Sequence, residues 1–382
     1  MSQSHSSRSA NQSNASGSSI SGAGDDSETF NSASDGNPPL PAEDKAAHTA
    51  ADVPPELNSG HFGSLLEPVI TQALSPNIDK IHWFRTDWQR GGALTGFSKW
   101  TTDDNQVHDV IIKLPVPPCE RHWLVHLQNY ADQNPDQPSI APRLFAHGET
   151  LNGYDLAYVV LERLPHGPLN HKWLGHEFDL LTDVASRFYK ATTDHPLTGE
   201  PLHRDWSEIY TLAVKQVKNH SLPKDVEKRW AKALKKTKKK LPKWIDIWDN
   251  RPINGWNHGD LHLRNVLTRT PPPDQNAAPD TNPADHAAVL IDFAEVRVGH
   301  WTEDAVYFEH LYWAARDRLQ GRKLCKMIAQ ARKNAGFTLD PNWPLYAQTK
   351  RNLLAMSTPA MLQHDGDIHH LNACLEVLEA NI

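Results

Sequence analysis

The sequence predicts an α+β fold in two parts, a small antiparallel sheet with one helix and a larger, mostly helical region. Two observations support this prediction. Alternating and β-branched segments bounded by glycine and proline are concentrated between residues 80 and 165. From about Trp173 onward apolar residues recur at helical spacing, as in the stripe from Phe178 to Tyr189. We therefore expect the first part to span residues 59–165 and the second to span residues 166–382.

The first 58 residues differ in composition from the rest of the chain. They are mostly Ser, Asn, Gly, Asp, Pro and Ala, so they cannot bury enough apolar surface to offset the entropy of ordering. We predict that this tail is disordered. It carries two basic and eight acidic side chains, which accounts for most of the formal net charge of −7. The remainder is close to neutral, so we expect neither a nucleic acid nor a membrane as a partner.

The compartment is predicted from three features of the sequence. The chain begins without a basic region followed by an apolar stretch, so we expect no secretory signal. It has no run of about 18 apolar residues, which a membrane-spanning helix requires. Its three cysteines, Cys119, Cys325 and Cys374, are far apart and odd in number, which indicates free thiols in a reducing compartment. We expect a cytoplasmic protein, and the sequence leaves its oligomeric state open.

The first part begins with an amphipathic stretch from Phe62 to Leu74, for which we predict a short helix starting near Pro68. An aromatic-rich strand, residues 80–85, leads into a glycine-rich turn and a second strand. The glycines that bring a backbone close to phosphates would be Gly91, Gly92 and Gly96. A plain hairpin turn explains the same glycines, and no Gly-Lys-Ser/Thr follows, so this is not a Walker loop.

A third strand, residues 109–114, carries Lys113 close to its end. Prolines follow it, and then comes a helical pattern that starts near Glu120 and has apolar residues on one face. Two further strands lead to a Pro/Gly-containing connector after Leu164. A helix dipole favours an acidic residue in the first turn, so stabilisation of this helix is one explanation for Glu120.

The chemistry is concentrated in two later segments, His258-Gly259-Asp260 with Asn265, and Ile291-Asp292-Phe293. A carboxylate, an amide five positions later and a second carboxylate across a hairpin are the groups that phosphoryl transfer from a magnesium nucleotide requires. The order resembles that of the kinase signature, with His-Gly-Asp in place of His-Arg-Asp. Between the two hairpin strands lies a proline-rich segment, residues 271–286, which we predict is a flexible insertion.

These motifs resemble the catalytic segment of the aminoglycoside phosphotransferase and choline kinase-like family, whose members have a protein-kinase-like fold and phosphorylate small molecules. The resemblance implies that Asp260 is the catalytic base and that Asn265 and Asp292 hold Mg²⁺. For His258 we expect a structural imidazole that holds the catalytic loop by hydrogen bonds. The later Asp304 would support the same loop through backbone N–H groups, or it could be a first-turn acid of the next helix.

The resemblance also implies a nucleotide site between the two lobes. Lys113 would contact the α- and β-phosphates and pair with Glu120, while Gly91, Gly92 and Gly96 would cover the phosphates. Backbone groups near Glu162 and Leu164 would bind the adenine. The implied reaction is Mg²⁺-dependent transfer of the γ-phosphoryl group of ATP or GTP to a hydroxyl of a small molecule, whose identity the sequence does not reveal.

Other interpretations of the same residues remain open. A kinase-like module could bind a nucleotide without turnover. Such a chain would be expected to lack at least one of four residues, all of which are present here: Lys113, Asp260, Asn265 and Asp292. A metal-dependent hydrolase could bind zinc through His258 and His262, four residues apart on one face of a helix. The glycine between them, Gly259, disfavours a helix at this position. A protein kinase is disfavoured because no Ala-Pro-Glu segment follows Asp292. Acidic residues after the hairpin could receive a cationic amine or could be surface charges: Glu295, Glu303 and Glu309.

Overall fold

The computed structural model describes residues 59–85, 93–170, 175–271, 287–361 and 367–382, and of residues 59–62, 64 and 85 only the backbone. The predicted disordered tail, Gly91 and Gly92 lie outside these ranges, as does the predicted insertion apart from Pro271. Within them, the first part of the chain is a sheet with helices beside it, and the rest is mainly helical.

A five-stranded antiparallel sheet in the order β1-β2-β3-β5-β4 forms the first lobe. β2 and β3 pair over their full length, from Leu94 opposite Leu114 to Thr101 opposite Val107. Along β2 buried residues alternate with less buried ones, as expected for a sheet with one face on a core. The strands span β1 His82–Arg85, β2 Leu94–Thr101, β3 Val107–Leu114, β4 Leu144–Gly148 and β5 Tyr158–Glu162.

The first helix, α1, spans Ser59–Leu74 and contains Pro68 in its interior, so the prediction of a start near Pro68 is wrong. A proline within a helix removes one N–H and crowds the preceding turn, at a cost of about 3 kcal/mol. Burial of Ile70 and Leu74 in the core beneath the sheet offsets this cost. Tertiary packing therefore outweighs the local rule at this position.

The second helix, α2 (Pro118–Gln133), joins the two lobes. Its apolar face, which includes Trp123 and Leu124, packs into the large core of the helical lobe and not into the core beneath the sheet. At its start the thiol of Cys119 lies 3.4 Å from the carbonyl oxygen of Val296 and 3.6 Å from that of Phe293, in the catalytic segment. The helix is thus fixed against the second lobe.

The second lobe is built from helices around one continuous core. In the described part of the chain the helices span α3 Glu177–Ala191, α4 Trp206–Asn219, α5 Lys224–Asp249, α6 Thr302–His310, α7 Leu324–Asn334, α8 Trp343–Ser357 and α9 Ile368–Glu379. Short 3-10 turns lie at Leu263–Asn265, Arg316–Leu319 and Thr358–Met361. The two-lobed α+β fold predicted from the sequence is confirmed.

Two short antiparallel pairs carry the functional motifs. β6 (Gly255–Asn257) pairs with β9 (Arg297–Gly299), and β7 (Val266–Thr268) pairs with β8 (Ala288–Leu290). Beyond β8, the N–H of Ile291 donates to the carbonyl oxygen of Asn265 at 3.0 Å. The two motif segments that are distant in sequence are therefore held side by side by backbone hydrogen bonds.

Two predictions about the whole chain can be compared with the structure. Cys119, Cys325 and Cys374 are free thiols, as expected, and the last two are buried. Among the helices that the structure describes, none is long and apolar enough to cross a membrane.

Candidate active site

The segment that carries Asp260 turns sharply after β6, and this turn requires Gly259. Gly259 has a φ of +86°, in the left-handed region that glycine adopts without strain. A Cβ at this position would also overlap the carbonyl oxygen of Glu295 and approach the guanidinium of Arg297. The backbone therefore comes so close to the β9 side of the site that only glycine fits.

Asp304, in the first turn of α6, holds this turn in place. Its carboxylate accepts hydrogen bonds from the N–H groups of His258 at 2.8 Å and Gly259 at 2.9 Å, and from the hydroxyl of Tyr189 at 3.0 Å. These are the backbone contacts that the resemblance implies for Asp304. Its burial raises the pKa of the carboxyl, and the hydrogen bonds oppose this shift. Asp304 is thus a positioning residue of the catalytic turn.

Asp260 projects from the turn into a set of three donors. Tyr307 donates from its hydroxyl to Oδ1 at 2.7 Å, the side-chain amide of Asn265 donates to Oδ2 at 3.0 Å, and Nε2 of His262 lies 3.2 Å from Oδ2. Partial burial works to raise the pKa of Asp260, but the contacts with His262 and Tyr307 prevail and hold it well below its usual value. The carboxylate is therefore ionised and fixed in orientation.

Asn265 and Asp292 present the remaining oxygen ligands. The amide nitrogen of Asn265 donates to the backbone oxygen of Asp260 as well as to its carboxylate, which fixes the amide orientation and leaves its oxygen available. Asp292 has a φ of +65°, an uncommon conformation for a residue other than glycine. An amide oxygen and a carboxylate are ligands that Mg²⁺ prefers, so the donor chemistry of these two residues fits that ion.

The predicted contact between Lys113 and Glu120 is present at the lobe interface. Nζ of Lys113, on β3, lies 2.7 Å from both carboxylate oxygens of Glu120, in the first turn of α2. Glu120 is 3% exposed and Lys113 26% exposed. Burial raises the pKa of Glu120, Lys113 opposes that rise, and the nearby charge of Asp292 adds to it. The ion pair is therefore close to the residue proposed to hold the metal.

The two residues predicted to lie near the adenine, Glu162 and Leu164, were expected to offer backbone groups for hydrogen bonding. The N–H of Glu162 donates to the carbonyl oxygen of Arg143 at 2.8 Å, so this donor is already used within the sheet. The carboxylate of Glu162 forms two hydrogen bonds to Arg269, at 2.8 and 2.6 Å. Leu164 lies just beyond β5 and is buried. Binding of adenine near this point would therefore have to use backbone groups other than the Glu162 N–H.

Gly96 lies within β2 and not in the turn that precedes it. A Cβ at Gly96 would collide with the side chain of Ile81 and press on the ring of Trp83. Packing between β1 and β2 is sufficient to explain this glycine, and its predicted contact with phosphates remains a prediction.

The two histidines of the motif have separate partners. His258 is buried, and its Nε2 lies 3.1 Å from the carbonyl oxygen of Ile291, which links the two motif segments as expected for a structural imidazole. His262 uses Nε2 for Asp260 and accepts at Nδ1 from the N–H of Arg264. They do not form a paired metal site. Within the described ranges, no group of three or more His, Cys, Asp or Glu side chains is arranged to hold a metal ion.

The acidic residues after the hairpin are engaged by arginines. Glu303 accepts from Arg251 at 2.8 Å in a pair that is almost fully buried, and Glu309 forms two hydrogen bonds to Arg351, at 2.6 and 2.9 Å. Glu295 lies at the edge of the site with Arg297 3.6 Å away. The expectation that these carboxylates are surface charges or receive a cationic amine is therefore wrong for Glu303 and Glu309, because folding already supplies their cations.

One residue of the site was not found from the sequence. Tyr307 lies one turn after Asp304 on α6. Asp304 holds this helix against the turn that carries Asp260, and the hydroxyl of Tyr307 donates to Asp260 from the same helix. The sequence offers a weak signal for it, since positions three apart on a helix share a face.

Structural comparison finds similar folds at low sequence identity. An aminoglycoside phosphotransferase from Alicyclobacillus acidocaldarius is 14% identical with a TM-score of 0.49, covering 82% of this chain and 93% of that one. The macrolide 2′-phosphotransferase MphH from Brachybacterium faecium is 11% identical with a TM-score of 0.44, covering 82% and 97%. A microcompartment-associated aminopropanol kinase is 14% identical with a TM-score of 0.46, covering 83% and 94%.

Comparison with curated proteins gives no match. A family model, in contrast, matches residues 98–348, which include β3, α2 and both catalytic motifs. Its description is that of the phosphotransferase enzyme family. The match covers well over half of the chain and confirms the resemblance and the predicted class of enzyme. This chain belongs to the phosphotransferase enzyme family.

Proposed function

We propose that the protein is a Mg²⁺-dependent kinase that transfers the γ-phosphoryl group of ATP or GTP to a hydroxyl group of a small molecule. One observation carries the proposal: Asn265 joins the two motif segments. Its side-chain amide donates to the carboxylate of Asp260 at 3.0 Å. Its backbone carbonyl oxygen accepts from the N–H of Ile291, the residue before Asp292. The proposed base and the proposed metal ligands are thereby held in one rigid unit.

In this proposal Asp260 orients the attacking hydroxyl and accepts its proton. The low pKa of Asp260 makes it a weak base toward an intact alcohol. In a loose transition state, however, the proton leaves late, when the oxygen has already begun to bond to phosphorus. The main task of Asp260 is then to position the hydroxyl in line with the γ-phosphorus, a task that three fixed donors around the carboxylate support.

Asn265 and Asp292 would hold Mg²⁺ through the oxygens described above. When bound, the ion supplies positive charge that neutralises the phosphate oxygens of the nucleotide. Lys113, held by Glu120, would contribute a further positive charge at the phosphates. Catalysis would rest on positioning and charge neutralisation, because phosphoryl transfer leaves little covalent chemistry for the protein.

The nucleotide site is tested first by thermal unfolding with Mg-ATP, Mg-GTP and no nucleotide, for the wild type and Asp292→Ala. A ligand at 100 times its Kd stabilises the native state by about 2.7 kcal/mol, which for a chain of this size raises Tm by roughly 3–4 °C. We expect a Mg²⁺-dependent rise that Asp292→Ala removes. Absence of a rise with either nucleotide at millimolar concentration would refute the proposal.

Turnover is tested with Asp260→Ala, which we expect to lower transfer by at least about 100-fold while leaving nucleotide affinity nearly unchanged. Asp132→Ala is a matched control, because Asp132 is an exposed carboxylate in the last turn of α2, at the end distant from Glu120, where it accepts from Gln128. Transfer by Asp260→Ala at the wild-type rate would exclude Asp260 as the base. Nucleotide binding without transfer to any acceptor would favour a binding module.

A further inference from the structure

A small cavity lies beside the turn that carries Asp260. It has a volume of about 40 Å³, which is room for roughly three water molecules or one carboxylate or phosphate group. Gly259 and Tyr307 form the wall shared with Asp260. A group bound in this cavity would therefore belong to a molecule whose hydroxyl can reach Asp260.

Three basic side chains from separate elements converge on this cavity: Arg204 before α4, Arg297 on β9 and Lys350 on α8. Residues from three distant segments meet here only through folding. We call them the basic triad.

The basic triad is poorly compensated by the protein. Lys350 is 6% exposed, and within the described residues its ammonium group makes no hydrogen bond and faces the rings of Trp248 and Trp206 at 4.8 and 5.3 Å. Arg204 likewise makes no hydrogen bond or ion pair in that part of the chain. Arg297 donates from Nη1 to the carbonyl oxygen of Glu295 at 2.9 Å and lies 3.6 Å from the Glu295 carboxylate, but its buried Nε has no hydrogen-bond partner among these residues.

The acidic side chains that line the cavity do not balance these charges. Glu303 is bonded to Arg251 through a buried ion pair, and Asp304 accepts from the N–H groups of the catalytic turn. Burial, together with the neighbouring Arg204 and Arg297, lowers the pKa of Lys350 to about 7, against the opposing effect of Glu303. An unpartnered buried cation is costly, and an anion in the cavity would remove that cost.

We propose that the phosphoryl acceptor is a small anionic alcohol, whose carboxylate or phosphate group binds the basic triad while its hydroxyl lies at Asp260. This inference rests on the proposed function. In the reaction the acceptor oxygen bonds to the γ-phosphorus, the bond from that phosphorus to the bridging oxygen breaks, and ADP or GDP leaves. The hydroxyl proton passes to the carboxylate of Asp260.

The inference is tested with a panel of acceptors in which charge is the variable. Gluconate and glycerate represent hydroxy carboxylates, glucose 6-phosphate and glycerol 3-phosphate represent phosphorylated alcohols, and glucose and glycerol are their neutral counterparts. Choline and kanamycin represent cationic acceptors. Release of ADP from Mg-ATP and the mass of the product are measured for each compound. We expect at least one anionic compound to exceed its neutral counterpart at least tenfold in kcat/KM, and the two anionic classes decide between carboxylate and phosphate.

Binding is measured separately with Mg-AMP-PNP already bound, so that an added anion cannot occupy the phosphate site. The same anionic compounds should then raise Tm further in the wild type, and Arg204→Gln and Lys350→Met should each weaken this binding at least tenfold. Lys215→Gln is the matched control, because Lys215 is exposed on α4 and away from the cavity.

Transfer only to neutral or cationic acceptors would overturn the inference, and so would equal binding of the anions by wild type and both variants. Failure of every anion to bind or react would also overturn it. The response to Mg-AMP-PNP alone distinguishes this failure from failure of the proposed function, since the basic triad has no part in nucleotide binding. A normal response in Arg204→Gln also shows that the variant is folded.

Discussion

The hydroxyl of Tyr307 donates a 2.7 Å hydrogen bond to Oδ1 of Asp260 across 47 residues of sequence. This bond helps to keep the Asp260 carboxyl ionised, and together with the two donors at Oδ2 it fixes the orientation of the carboxylate. The proposed role of Asp260 therefore depends on a residue outside the motif from which that role was predicted.

Replacing Tyr307 by Phe removes this bond while retaining the ring. We expect kcat to fall about tenfold, since a hydrogen bond to a charged group contributes about 1.5–3 kcal/mol. The pKa of Asp260 should rise, so the acid limb of the pH–rate profile should move to higher pH. Tyr210→Phe is the control, because its hydroxyl donates to the carbonyl oxygen of Leu234 away from the site. An unshifted acid limb in Tyr307→Phe would contradict the assignment.

Replacing Asp304 by Ala should destabilise the whole protein. Two buried N–H groups, of His258 and Gly259, would lose their acceptor, at a total cost of about 3 kcal/mol or more in the free energy of unfolding. Tyr189→Phe removes only the third donor to the same carboxylate and should cost about 1 kcal/mol. Urea denaturation measures both values, and equal losses would mean that Asp304 does not support the turn.

The ion pair between Lys113 and Glu120 gives a graded prediction for nucleotide affinity. Lys113→Met removes the charge and should weaken Mg-ATP binding most, whereas Glu120→Gln leaves the lysine in place but less firmly oriented. Lys99→Met is the control, since Lys99 on β2 is exposed and pairs with the exposed Asp109. Calorimetry should rank the variants in this order, and an equal Kd for Lys113→Met and wild type would remove Lys113 from the phosphate site.

The buried His300 should make stability depend on pH. Burial, together with the charge of Arg332, lowers its pKa to about 4 from a usual value of 6.5. The unfolded chain therefore binds a proton at His300 more readily than the folded protein does. The corresponding stability is fully present above pH 6.5 and is lost as pH falls toward 4, by up to about 3 kcal/mol.

This dependence is measured by urea denaturation between pH 7 and pH 4. His300→Asn retains an acceptor near Thr302 but does not titrate, so its unfolding free energy should fall less steeply over this range than that of wild type. His203→Asn, at an exposed position, should leave the slope unchanged. Parallel curves for wild type and His300→Asn would refute the prediction.

The sequence was sufficient to predict the family and the class of enzyme, because phosphoryl transfer requires particular residue types at fixed local spacing. Asp260, Asn265 and Asp292 are identified by that spacing and by the apolar strands around them. Glu303 and Glu309 were misjudged because their partners, Arg251 and Arg351, are about 40 to 50 residues away along the chain. Long-range pairing of this kind leaves no local pattern.

The same limit applies to the helix that contains Pro68 and to the basic triad. At Pro68 the local rule predicted a helix start, and burial of the flanking apolar residues overrode it. No local pattern in the sequence distinguishes Arg204, Arg297 and Lys350. They come together only because the start of α4, β9 and α8 meet in the folded protein. The proposed catalytic residues follow a local pattern in this chain, whereas the proposed acceptor site is formed only by tertiary packing.

The thiol of Cys119 allows the contact between α2 and the Asp292 segment to be followed chemically. It lies at the start of α2, its two oxygen neighbours belong to the segment just after Asp292, and it is only partly buried. Any separation of α2 from that segment exposes the sulfur to solvent. The rate at which iodoacetamide alkylates Cys119 therefore reports how often the start of α2 separates from this segment, in the unlabelled protein and without a substrate.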